Sequence, residues 1–254
     1  MPNNGLHRRN DLLSEIQRAT EEIRKNKYPQ AHVVFLAGSL VRGEGTSTSD
    51  LDLVVLFDRI PCAYRESFIY NRWPVEAFVH DPQTLEYFFW EVDRQSGFPS
   101  LPAMVAEGVE IPEVSEFSDS LKRLAAAVLN EGPPKWSEKD LSNSRYAITD
   151  LIEDLRDPRS TQELHATATL LYSALANHYF RSRRVWSAKG KAIPRRLNAI
   201  DVSFAGRYID SFESLFLKNH ATAVIELAKE ILEPDGGFLF EGHRLEAPES
   251  WRIG

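Results

Sequence analysis

The sequence predicts an α+β protein, a mixed-sheet N-terminal domain followed by an all-α helical bundle domain. Short apolar, β-branched runs are confined to the stretch before residue 80, and helical periodicity dominates from Leu121 onward. Between them, residues 97–118 turn to prolines, glycines and glutamates, which sets the expected domains at 1–118 and 119–254.

Residues 10–26 place Leu12, Leu13, Ile16, Ala19 and Ile23 at helical spacing, predicting an amphipathic helix that begins near Asn10. After Pro29, residues 32–37 (HVVFLA) form a short apolar run that stops at Gly38, the pattern of a buried strand. Residues 39–43 have room for one helical turn before a Gly-Glu-Gly loop. Further strands are predicted over 51–57 and 74–79. A helix over 82–95 should start from Asp81 as N-cap, with Pro82 at the position where a missing N–H is harmless. Helices are then expected over 119–130, 138–156, 161–185, 208–217 and 219–232, punctuated by Gly132-Pro133-Pro134 and Asp157-Pro158. Residues 235–254 read as a loosely attached tail.

At 254 residues, 43% hydrophobic and 26% charged, the chain can bury one large core or two modest ones. Its one cysteine, Cys62, excludes an intramolecular disulfide and a cysteine-based zinc site, in keeping with a reducing cytoplasm. The N-terminal MPNNGLHRRNDLL carries charge where a signal peptide needs an apolar core. No apolar run approaches the roughly 20 residues of a membrane span, so a cytoplasmic protein without a membrane partner is expected. A net charge of −7 argues against wrapping polymeric nucleic acid while leaving room for a local phosphate site. The seven histidines are scattered without ligand spacing.

The chemistry concentrates in GSLVRGEGTSTSDLDLVVLF, residues 38–57. Asp50 and Asp52 stand two apart at the mouth of a strand, so both carboxylates point to one face. Two carboxylates about 5 Å apart repel by roughly 3 kcal/mol at an effective dielectric near ~20. A divalent cation between them explains such a pair, and an all-oxygen donor set favours Mg²⁺ shared with substrate phosphates. Gly38 and Ser39 directly follow a buried strand, where glycine lets backbone approach a phosphate and amides plus a hydroxyl supply donors. Glu76, a lone acid within the apolar run 74–79, needs a partner or a metal. A P-loop reading fails because Glu44 stands where the lysine must be, and the dinucleotide-binding glycine pattern is absent. The alternative is a surface turn followed by a strand with two solvent-facing aspartates.

Gly38-Ser39, a ten-residue gap, Asp50-Leu51-Asp52-Leu53 and Glu76 on a later strand together resemble the polymerase-β-like nucleotidyltransferase superfamily. Within it, the length and two-domain layout look like the kanamycin- and streptomycin-type aminoglycoside nucleotidyltransferases. The likeness is specific over residues 33–79 and only architectural beyond about residue 120. It implies that the N-terminal domain is catalytic, that Gly38 and Ser39 hold a triphosphate, and that Asp50 and Asp52 bind Mg²⁺. Glu76 would complete the metal site or act as base. ATP is the implied co-substrate, with AMP passing to an acceptor hydroxyl and pyrophosphate leaving.

Two weaker signals lie in the second half. On a helix, Asp150, Asp154 and Asp157 share a stripe with Glu153 beside it, either a solvated acidic face or a source of the acceptor's base. Kanamycin-type enzymes place an acid on their C-terminal domain, which makes Asp154 or Glu153 the implied candidate. The basic stretch of Arg181, Arg183, Arg184, Lys189, Lys191, Arg195 and Arg196 is either a solvated helix end or a source of phosphate contacts through Lys189 or Lys191 in an inter-domain cleft. Glu107, Glu110, Glu113, Glu116 and the Asp150–Asp157 stripe would attract a cation. The expected acceptor is therefore a small cationic molecule such as an aminoglycoside, ahead of a protein hydroxyl, with RNA last. The competing class is a non-catalytic, antitoxin-like nucleotide-binding protein. Three mutually repelling carboxylates favour the enzyme.

Overall fold

The computed structural model describes residues 3–46 and 48–252, with side chains from residue 11 onward. Helix α1 (Asn3–Lys27) runs longer than its apolar spacing foretold. Ile16, Ala19 and Ile23 are buried while Arg18 and Glu22 face solvent. Strand β1 (Val33–Ala37) is buried throughout and runs straight into the single turn α2 (Gly38–Val41). Strand β2 (Leu51–Leu56) follows, then β3 (Tyr64–Tyr70), β4 (Trp73–His80) and, much later, β5 (Val109–Ile111). The sheet order is β3-β4-β2-β1-β5. Strand β1 pairs antiparallel with β2 and β5, β2 pairs parallel with β4, and β3 pairs antiparallel with β4. This is the mixed sheet the sequence predicts.

Two strands were not foreseen. β3 carries charged residues and alternates exposed with half-buried positions along an edge, so no apolar run announces it. Its hairpin with β4 turns at Asn71, whose φ of 52° is a conformation asparagine tolerates. β5 has only three residues. The proline- and glycine-rich stretch around it also contains a helix, Ser100–Glu107.

Asp81 caps the next helix with a capping box, as expected. That helix changes character along its length, from α3 (Pro82–Tyr87) through a π turn (Phe88–Asp93) to α4 (Arg94–Ser96). Then come α5 (Ser100–Glu107) and α6 (Glu116–Glu131). The chain divides into compact units at Met1–Gly132 and Pro133–Gly254, so α6 belongs with the sheet. Lys122 on α6 donates to the Gly108 carbonyl at 2.8 Å and pairs with Glu110 at 2.9 Å, while Arg94 Nε donates to the Gly132 carbonyl at 3.0 Å. The proline- and glycine-rich stretch thus lies inside the first unit and does not end it at 118.

The second unit is helical: α7 (Glu138–Arg156), α8 (Thr161–Ser182), α9 (Ala192–Ile200), α10 (Val202–Lys218) and α11 (Thr222–Leu232). Ile152, Leu171, Leu175, Tyr208, Phe212 and Leu227 are among the buried residues of its core. In the sequence of helix α9, charges and Pro194 obscure the apolar spacing set by Ile193 and Leu197. The expected loose tail is tied down in its first half. Arg145 donates to the carbonyls of Gly237 and Gly236 at 2.7 and 2.6 Å, Leu239 N donates to Thr149 Oγ1 at 2.9 Å, and Tyr146 stacks on His243. No helix among the described residues is long and apolar enough to cross a membrane.

Candidate metal centre

Strand register brings the chemistry together. The β1–β2 pairing sets Ala37 opposite Asp52, and the parallel β2–β4 pairing sets Asp52 beside Glu76. Asp50 precedes β2 by one residue and shares the face of Asp52 by alternation. As a result, one carboxylate oxygen from each of Asp50, Asp52 and Glu76 lies within 4.8 Å of the others, each side chain half-buried. Charges at this spacing repel by about 3 kcal/mol per pair at an effective dielectric of ~20. The donor set, three carboxylates and no nitrogen or sulfur, fits a hard divalent cation such as Mg²⁺.

Gly38 sits at the end of β1 with φ +84°, and a Cβ there would stand 2.0 Å from Asp52 Oδ2. Only glycine fits this turn, on grounds of both conformation and space. Ser39 Oγ bonds Ser49 Oγ at 3.2 Å, and Ser49 Oγ accepts from Thr46 N at 2.8 Å. Ser49, which sequence reasoning passed over, therefore braces Ser39 from the residue next to Asp50.

Glu76 has a partner on the unforeseen strand. In the β3–β4 register Arg65 stands opposite Phe78 and Ser67 opposite Glu76. Arg65 Nη2 donates diagonally to Glu76 Oε1 at 2.5 Å, and its guanidinium lies 5.0 Å from the centre of the Phe78 ring. The sequence of residues 64–70 (YRESFIY) carries no clean alternation to signal Arg65; period-two strand geometry fixes its face only once the strand is known. Glu107 and Glu110, expected to attract a cation, are engaged by Arg42 at 3.3 Å and by Lys122 at 2.9 Å.

The second unit, taken by itself, holds the other expected residues. Asp150, Glu153, Asp154 and Asp157 are exposed on α7 and at its end, and Glu153 pairs with Arg156 at 3.2 Å. The basic stretch is not one uniform surface. Arg181 is buried with its guanidinium 5.6 Å from the Trp136 ring centre, Arg183 lies over Tyr179, and Arg196 Nε donates to the Trp186 carbonyl at 3.0 Å. Lys189 and Lys191 are exposed.

Residues 16–90 match the family model of the nucleotidyltransferase domain. That span runs from within α1 past β4 and includes the α2 turn with Gly38 and Ser39, Asp50 just before β2, Asp52 on β2 and Glu76 on β4. No curated protein matches the chain. Among solved structures, the chain is similar to a nucleotidyltransferase-like protein from Exiguobacterium sibiricum 255-15, at 16% identity and a TM-score of 0.43, covering 86% of this chain and 73% of that one.

Proposed function

We propose that the nucleotidyltransferase domain of this chain moves AMP from ATP to a hydroxyl of a small cationic molecule, such as an aminoglycoside, and releases pyrophosphate. The observation that supports this reading is the convergence of Asp50, Asp52 and Glu76 next to a Gly38 turn that no side chain could occupy. Asp50 and Asp52 would hold Mg²⁺, with Glu76 either joining them or accepting the hydroxyl proton. When bound, the ion supplies charge neutralisation at the triphosphate. The Gly38 turn leaves room for a phosphate against the backbone, and the Ser39 hydroxyl with neighbouring amides donates to the β- and γ-phosphates. In the transfer, an oxygen–phosphorus bond forms from the acceptor hydroxyl to the α-phosphorus. The bond to the bridging oxygen breaks, pyrophosphate leaves with that electron pair, and the hydroxyl proton passes to a carboxylate.

From the second unit, Lys189 and Lys191 are proposed as phosphate contacts and Asp154 as the acceptor's base. Glu153 ranks behind Asp154 because it is engaged by Arg156. With Glu107 and Glu110 paired inside the chain, attraction of a cation rests on the exposed Glu113, Glu116 and the α7 acids, and on the net charge of −7. Labelled ATP and Mg²⁺ incubated with aminoglycosides, total tRNA or cell lysate tests the acceptor. Label on an aminoglycoside is the expected result. Label on a lysate protein would replace the small acceptor by a protein hydroxyl. Label in tRNA would overturn the choice.

A further inference from the structure

We infer that Arg65 is a phosphate-binding residue of this same site, its guanidinium held on Glu76 until a divalent cation claims that carboxylate and then turned to the nucleotide's phosphate. The inference rests on the nucleotidyl-transfer reading above. Three carboxylates meet within 4.8 Å, and Arg65, through its contact at Glu76 Oε1, brings a cationic group to their edge. A guanidinium and a divalent cation repel one another, so a metal shared by all three acids competes with Arg65 for Glu76.

The geometry lets Arg65 yield without disturbing the fold. It stands on the edge strand β3, its side chain 56% exposed against 29% for Glu76. Its guanidinium rests over the Phe78 ring, a support that does not depend on Glu76. The contact with Glu76 is made through Nη2, one corner of a planar fork with five N–H donors. Such a fork suits two oxygens of one phosphate far better than a single carboxylate oxygen. A phosphate sharing a cation with Glu76 would lie within a few ångströms of the place where the guanidinium already sits.

Phosphate binding and simple bracing of β3 onto β4 predict opposite results. The test titrates the full chain with Mn²⁺ in the absence of nucleotide, then with a non-hydrolysable ATP analogue in Mg²⁺, by calorimetry. Arg65→Met keeps a long apolar stem over Phe78 and removes the charge. It should bind Mn²⁺ more tightly, by about tenfold, and the magnesium–nucleotide analogue more weakly, by about tenfold, each near 1.4 kcal/mol. Arg65→Lys keeps the charge without the fork, and should hold Mn²⁺ affinity within about twofold while losing nucleotide affinity several-fold. If Arg65→Met changes both affinities in the same direction, or neither, Arg65 is a brace and the inference fails. Should Arg65→Met fail to fold, the lysine variant decides alone, and unchanged nucleotide affinity overturns the inference. Wild-type protein that binds no Mn²⁺ would overturn the metal reading itself, and this inference with it.

Discussion

A side chain at Gly38 and the carboxylate of Asp52 cannot coexist, since a Cβ on Gly38 would lie 2.0 Å from Asp52 Oδ2. The turn after β1 and the acid near the start of β2 are thus one unit, brought face to face by the Ala37–Asp52 register. Gly38→Ala must either swing Asp52 away or abandon the φ of +84°. Stability should drop by roughly 1–2 kcal/mol from the left-handed backbone alone. Turnover should drop by about 100-fold or more, the scale that a displacement near 1 Å produces. Steady-state kinetics alongside a urea melt separates the two effects. Wild-type kcat in this variant would detach Gly38 from the site.

Much of this relationship is legible in the sequence. The run 32–37 stops at Gly38 and the run 51–57 is entered through the alternating Asp50 and Asp52, so both strands and the Gly38-Ser39 turn follow from local rules. Asp81 before Pro82 likewise marks a helix start, and the capping box bears it out. Arg65 is not legible in the same way. Its strand is half exposed, its register depends on a hairpin turning at Asn71, and its contact with Glu76 crosses between strands. Nor do residues 97–118 reveal that α6 belongs to the same unit as the sheet, because Lys122 and Arg94 find backbone carbonyls far from them in sequence. Local composition reports flexibility of the chain, and long-range pairing decides the boundary.

The lysines of the second unit carry a separate expectation. A Lys189→Ala, Lys191→Ala double variant should bind the magnesium complex of a non-hydrolysable ATP analogue about tenfold more weakly, near 1.4 kcal/mol. Calorimetry measures this directly. Unchanged affinity would leave both lysines as solvated surface.

Acid should weaken the first unit through His80. Burial lowers this imidazole to about 4, with Asp81 opposing only in part. The unfolded chain takes up the proton near pH 6.5, while the folded one resists until about 4. Stability is therefore complete above that window and declines as pH falls through it, by about 1–2 kcal/mol at pH 5. Urea midpoints at pH 7.5 and pH 5 should differ less in His80→Gln than in the wild type. An identical pH dependence in both would remove His80 from the account.

Arg145 fastens the segment after α11 through its bonds to Gly236 and Gly237 at 2.6 and 2.7 Å. Arg145→Met should destabilise the second unit by about 2 kcal/mol, the scale of charge-assisted hydrogen bonds at a partly exposed position. Proteolysis should then cut first beyond residue 232. An unchanged melting temperature would mean the tail is loose after all.

Nucleotidyl transfer at the carboxylate cluster is tested most directly by following ATP labelled at the α-phosphate together with pyrophosphate release, in the wild type and in Asp52→Asn. Wild-type protein with Mg²⁺ and acceptor should pass the α-label to the acceptor and release one equivalent of pyrophosphate. Asp52→Asn should do so at least ~10³-fold more slowly, a loss of roughly 4 kcal/mol of transition-state stabilisation. Full activity in Asp52→Asn, or release of inorganic phosphate and ADP in place of pyrophosphate, would contradict it.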